Sequence, residues 1–168
     1  MSKHETQWTY DERGILTCSK KIRGKWYRCK SEVLVLNEKG EIFLAFKKNG
    51  RQYNIPGGGW DKDDVDDVET VIRETLEEAH MKICDIHYKT SYLKRYETVS
   101  PNNSWIGAYI KVYVATFDGM REDFHTKEID RNRLIEKSGR WYKLAKVYKR
   151  LSANHQYALK EYIDKIKI

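Results

Sequence analysis

Glu74, Glu77 and Glu78 stand at i, i+3 and i+4, with Arg73 directly before them. On a helix this spacing stacks three carboxylates on neighbouring turns, where each like-charge pair costs roughly 0.2–0.5 kcal/mol. Arg73 can reach Glu69 or Glu77 four residues away, but one guanidinium cannot neutralise three acids. Mg²⁺ or Mn²⁺ is the natural counter-charge, because hard divalent ions take oxygen ligands and bridge carboxylates to phosphate oxygens. A solvated glutamate-rich helix carries the same pattern, so these residues alone leave both readings open.

Upstream, Asn54-Ile55-Pro56 reads as a strand end, and Gly57-Gly58-Gly59 follows it. A plain turn needs one or two glycines, and this chain has only ten in all. Three in a row let the backbone approach a ligand closely or bend through positive φ before the helix starts. A glycine carbonyl can then join a metal shell, and exposed amides can face phosphate. Tyr53 and Trp60 flank the glycines and can stack on a nucleobase, as can Trp105 and Tyr109, expected on one strand face; core or surface packing is the commoner role for each of the four.

These groups need a helix and a sheet to position them. Periodicity predicts a helix over 64–79, with Val65, Val68, Val71, Ile72, Thr75, Leu76 and Ala79 on one arc and Asp67, Glu69, Thr70, Arg73, Glu74, Glu77 and Glu78 on the other. Asp63 or Asp64 would cap it, and Asp66 and Asp67 favour its positive end. Residues 33–36 and 42–46 are apolar runs that pair as a hairpin, residues 84–97 form another strand, and residues 104–119 alternate as a long strand with one face on the core. Two helices close the chain, the last presenting Ala158, Leu159, Tyr162, Ile163 and Ile166 behind a Ser152 cap.

Charge sets the acidic segment apart. Residues 57–80 hold nine acids against Lys62 and Arg73, a net of −7, inside a chain of +7, so the remainder carries +14. A basic surface attracts polyanions such as nucleotides or RNA, while clustered carboxylates repel them unless divalent cations intervene. The stretch KKIRGKWYRCK over 20–30 interleaves six cations with Trp26 and Tyr27, as either an RNA-contacting ribbon or a solvated edge strand, and GRWYKLAKVYKR over 139–150 adds a second basic and aromatic cluster. Cys18, Cys29 and Cys84 lack CxxC spacing, which predicts reduced thiols, and five scattered histidines form no metal pattern. No apolar run reaches membrane-spanning length and the first residues lack a signal-peptide core, so a cytoplasmic protein without membrane contact is expected.

Together, PGGGxxxxD…RETLEEAHM resembles the Nudix box, the loop-helix signature of the Nudix hydrolases, written G-x5-E-x7-R-E-U-x-E-E-x-G-U with U bulky and aliphatic. Arg73, Glu74, Glu77 and Glu78 match its R-E…E-E centre, and Gly58 matches its first glycine with one residue inserted before Arg73. Its first glutamate becomes Asp64, or Val65 in strict register; Thr75 replaces an aliphatic residue; His80 replaces the final glycine, in a left-handed position histidine tolerates.

The resemblance implies an α/β fold, a Nudix-type α/β/α sandwich around a mixed β-sheet, as a single domain over 1–168. It implies hydrolysis of a diphosphate bond in a nucleoside diphosphate linked to another group. Glu77 and Glu78 would lead the metal ligands beside the carbonyl of Gly57 or Gly58. Glu74 would be a further ligand or the base that activates water, Arg73 would orient the glutamates, and Gly58, Gly59, Tyr53 and Trp60 would contact substrate. A later loop often adds an acid in this family, for which Glu122, Asp123, Glu128 and Glu136 are candidates beside Asp64. Free nucleotides are the first expected substrates and 5′-triphosphorylated or capped RNA the second. A domain that binds nucleotide or RNA without turnover is the competing class. Such folds often form homodimers, though no surface in the sequence locates a partner.

Overall fold

The computed structural model describes residues 5–10, 14, 16–46, 52–60, 66–97, 105–120 and 139–166. Arg23 and Gly24 both take positive φ, the requirement of a two-residue hairpin turn, and join β2 (Leu16–Ile22) to β3 (Lys25–Leu36). β1 (Glu5–Tyr10) pairs along the other side of β2, so the basic ribbon is an inner strand pair and not an edge. Between Leu36 and β4 (Glu41–Phe46), Asn37 takes backbone amides on its Oδ1 and Gly40 turns at φ 71°, closing the expected hairpin.

β3 organises the sheet. Its antiparallel partners are β2, β4 and the short β6 (Gly57–Gly59), while its other edge runs parallel to β8 (Gly107–Met120) from Tyr27↔Gly107 to Leu36↔Thr116. β7 (Met81–Arg95) lies antiparallel to β8, and β5 (Tyr53–Asn54) and β9 (Arg140–Lys143) flank β4. One parallel pairing among antiparallel ones makes the sheet mixed.

Helices cover both faces. On one, α1 (Asp67–Ala79) packs Val71 against Val33, Val35, Phe43, Met81, Tyr113 and Ala115. On the other, α2 (Leu144–Val147), a 3-10 turn and α3 (Ala153–Ile166) bury Leu144, Val147, Leu159 and Ile163 against Leu34, Ile42, Leu44, Val112 and Val114. Ser152 caps α3 as expected, accepting the His155 amide on its hydroxyl. β8 is therefore buried on both faces, not one, because its odd residues meet α1 and its even residues meet α3. Trp105 precedes β8 and donates to Ser19 Oγ, whereas Tyr109 carries Lys20 over its ring on the α1 side, so the two aromatics do not share a face.

Helix α1 departs from its expected rotation. Thr70 is fully buried although it belongs to the polar arc, and Ile72 of the apolar arc is 42% exposed. Its cap is Asp66, which accepts the Glu69 amide at 3.0 Å; Asp63, Asp64 and Val65 lie outside the described residues. Asp67 serves the sheet, accepting from Lys111 Nζ at 2.6 Å and from Tyr113 Oη at 2.5 Å. Burial alone would raise its pKa, but those two donors outweigh it and hold the carboxyl below the usual range. A depressed carboxylate pKa adds stability above its unfolded value of about 3.9, and that contribution vanishes as pH falls through the folded value. Thermal melts should show the wild-type advantage over Asp67→Asn at neutral pH shrinking as pH drops below about 4.

Candidate active site

The glycine strand β6 explains why three glycines stand together. A Cβ on Gly57 would lie 2.3 Å from Ser31 O and 2.7 Å from Glu32 Cα; on Gly58 it would lie 2.6 Å from Glu74 Oε1; on Gly59 it would lie 2.8 Å from Arg28 Nη2. None of the three has a positive φ, so the requirement is close approach and not an unusual turn. The strand carries a carboxylate on one face and a guanidinium on the other.

The rotation of α1 turns Glu74 inward and leaves Glu77 exposed. Glu74 is only 16% exposed and receives Arg73 Nη1 at 2.8 Å, while Glu77 is 58% exposed with its Oε2 3.6 Å from the same nitrogen. Arg73 Nη2 points to Gly59 O at 3.5 Å, tying the helix to the strand. Glu78 lines a cleft of about 230 Å³ with Phe43, Ala45, Asn54, Ile55, Pro56 and Ala79. His80 ends α1 in the left-handed region at φ 55°, its amide donating to Leu76 O, as expected where glycine is usual.

Trp60 and Tyr53 point to opposite sides of this centre. Trp60 lies on the α1 face, donating from Nε1 to Ser31 Oγ at 2.8 Å beneath the Lys111 ammonium. Tyr53 is tied to α3: its hydroxyl accepts the Ser152 amide at 2.7 Å and lies 2.7 Å from His155 Nδ1. His155 Nε2 in turn sits 2.5 Å from Glu32 Oε1, which also accepts the Tyr92 hydroxyl at 2.8 Å. Burial, then the neighbouring Glu32 carboxylate, push the Tyr92 phenol well above its ordinary range. Glu32 and His155 were not among the residues singled out from sequence. The available signal was Lys30 and Glu32 at alternate positions of a strand that is otherwise apolar from Val33 onward. Glu122, Asp123, Glu128 and Glu136 lie outside the described residues, as does Asp64.

The oxygen-only donor set of Glu74, Glu77 and Glu78 suits a hard divalent ion in its chemistry. Among the described residues, however, no three His, Cys, Asp or Glu side chains stand close enough together to hold one, and Arg73 joins Glu74 and Glu77 instead.

The NUDIX domain profile matches residues 30–163, four-fifths of the chain. The chain belongs to the NUDIX domain family. This Nudix domain is similar in fold to the mutator MutT protein of Bacillus halodurans, at 17% identity and a TM-score of 0.55 over 79% of each chain. It is also similar to a NUDIX hydrolase from Nitrosomonas europaea, at 11% identity and a TM-score of 0.54 over 83% of this chain and 90% of the other. No curated protein matches it. Nudix hydrolases act on pyrophosphate bonds, generally in nucleoside diphosphate derivatives, and the chain is a hydrolase of that class. The matched region opens at Lys30, so β1, β2 and the start of β3 precede it. Among the described residues no helix is long and apolar enough to cross a membrane.

Proposed function

We propose that this Nudix domain, read as one unit over 1–168, is a metal-dependent hydrolase that cleaves the diphosphate bond of a nucleoside di- or triphosphate derivative. The observation that carries this reading is the inward turn of α1, which sets the Glu74 carboxylate against Gly58 and Glu78 in a cleft beside Pro56. A helix whose acids merely faced solvent would leave Glu74 exposed.

Glu77 and Glu78, with the carbonyl of Gly57 or Gly58, are the leading ligands for Mg²⁺ or Mn²⁺, and Glu74 is a further ligand or the base. A divalent ion held there would neutralise the diphosphate and lower the pKa of an attacking water. Arg73 occupies Glu74 Oε1 and leaves Oε2 to take a proton from that water. Because Arg73 also leans on Glu77, it orients both carboxylates. Gly58 and Gly59 are the backbone that the Glu74 carboxylate and the Arg28 guanidinium approach from opposite faces; Trp60 on the α1 face is the aromatic candidate for substrate contact, while Tyr53 is held by Ser152 and His155 on the other face. Asp64, Glu122 and Glu128 remain the candidates for an additional acid.

The test is release of phosphate or pyrophosphate from nucleoside triphosphates, nucleotide sugars, dinucleoside polyphosphates and 5′-triphosphorylated RNA, each with Mg²⁺, Mn²⁺ or EDTA. Turnover of one nucleotide class that EDTA abolishes is the expected result. Folded protein that binds nucleotide but releases nothing would instead identify a binding module.

A further inference from the structure

We propose that Arg28 and Lys30 of β3 and Lys94 of β7 form a second anion subsite, on the α3 face of the sheet, that holds additional phosphates of a triphosphate or longer polyphosphate chain. It rests on the diphosphate-hydrolase reading only for the identity of the substrate; the subsite itself stands on the following geometry.

Register places the cations across a low floor. Arg28 and Lys94 both pair with Ala108 of β8, and Lys30 and Tyr92 both pair with Ile110, so small or apolar β8 residues separate basic groups on either side. Among the described residues none of the three cations has a carboxylate in ion-pair distance. Glu32, the acid on the same face of β3, is committed to His155 and Tyr92. Arg28 Nε is buried without a hydrogen-bond partner, and a buried donor left unpaired is costly unless a ligand supplies the acceptor. Gly59 gives the Arg28 guanidinium its room, and Trp105 lies 5.7 Å from it as a flat wall. Burial first, then Arg28 and Lys94, hold the Lys30 ammonium below its ordinary pKa against the opposing pull of Glu32 and Glu78. Phosphate oxygens relieve all of these at once, since a guanidinium binds them bidentately and an ammonium as a point charge. The subsite adjoins the catalytic region through Gly59, which meets Arg28 on its Cα side and Arg73 at its carbonyl.

Titration of inorganic tripolyphosphate in EDTA tests the subsite without metal or turnover. Arg28→Met and Lys30→Met should each weaken binding at least about tenfold, and so should the exposed Lys94→Met, whose folding is not at risk. Lys39→Met, which removes one charge at the far end of β3, should stay within about twofold. With a turned-over nucleoside triphosphate, the same three variants should raise KM by a like factor and leave kcat within about threefold. Wild type that does not bind tripolyphosphate, or variants that bind it as wild type does, overturns the subsite. Binding that follows this pattern without any turnover would uphold the subsite and reject the hydrolase reading.

Discussion

Glu78→Gln should lower kcat/KM for the nucleotide substrate by about 100-fold or more while leaving the melting temperature within about 2 °C. The change keeps the size of the side chain and removes only its negative charge, so the cleft with Phe43, Asn54 and Pro56 persists. A carboxamide cannot match the affinity of a carboxylate for a divalent ion, and the loss falls on the step that needs neutralised phosphate. Glu77→Gln should behave alike. Being 58% exposed and 3.6 Å from Arg73, Glu77 adds little to the fold, so a large loss of rate there would have to come from chemistry. Steady-state kinetics beside thermal melts separates the two causes.

Gly57→Ala should be the most destabilising single-methyl change in the site, costing roughly 3 kcal/mol and on the order of 10 °C in melting temperature. Its new Cβ would fall 2.3 Å from Ser31 O and 2.7 Å from Glu32 Cα, and these are backbone atoms held in the β3 ladder. Neither can move without carrying Lys30 and Glu32 with it. At Gly58 the nearest atoms belong to the Glu74 carboxylate, which can swing aside, so Gly58→Ala should spare stability relative to Gly57→Ala. Denaturant unfolding of both variants measures the difference.

The contrast shows which parts of the site were legible in the sequence. The Glu74, Glu77, Glu78 spacing pointed to the helix and the three glycines to a close backbone approach, because like-charge stacking and close approach both leave compositional traces, but the sequence did not show that the glycines are themselves a strand paired with β3. The orientation of α1 was not readable: Thr70 is buried, Ile72 is exposed and Glu74 sits against Gly58, a rotation that periodicity within the helix does not specify. The hairpin across Asn37 to Gly40 followed from the apolar runs on either side of it, and the two flanking helix layers from periodicity. The pairing of β3 with β8 was hidden, since parallel partners far apart in sequence share no local signal. For the same reason the Tyr53, His155, Glu32 and Tyr92 chain could not be assembled from four residues spread over more than a hundred positions. The cations of the second subsite were visible as a basic ribbon, but not that β7 would bring Lys94 to them.

Hydrolysis of the preferred nucleotide by wild type, Glu77→Gln and Glu78→Gln, each in Mg²⁺ and in EDTA, tests the central claim most directly. The account predicts metal-dependent turnover by wild type alone, with both variants folded and reduced to near the EDTA rate. Turnover that persists in EDTA, or that survives either substitution undiminished, would contradict the assignment of the α1 glutamates as the metal-binding centre.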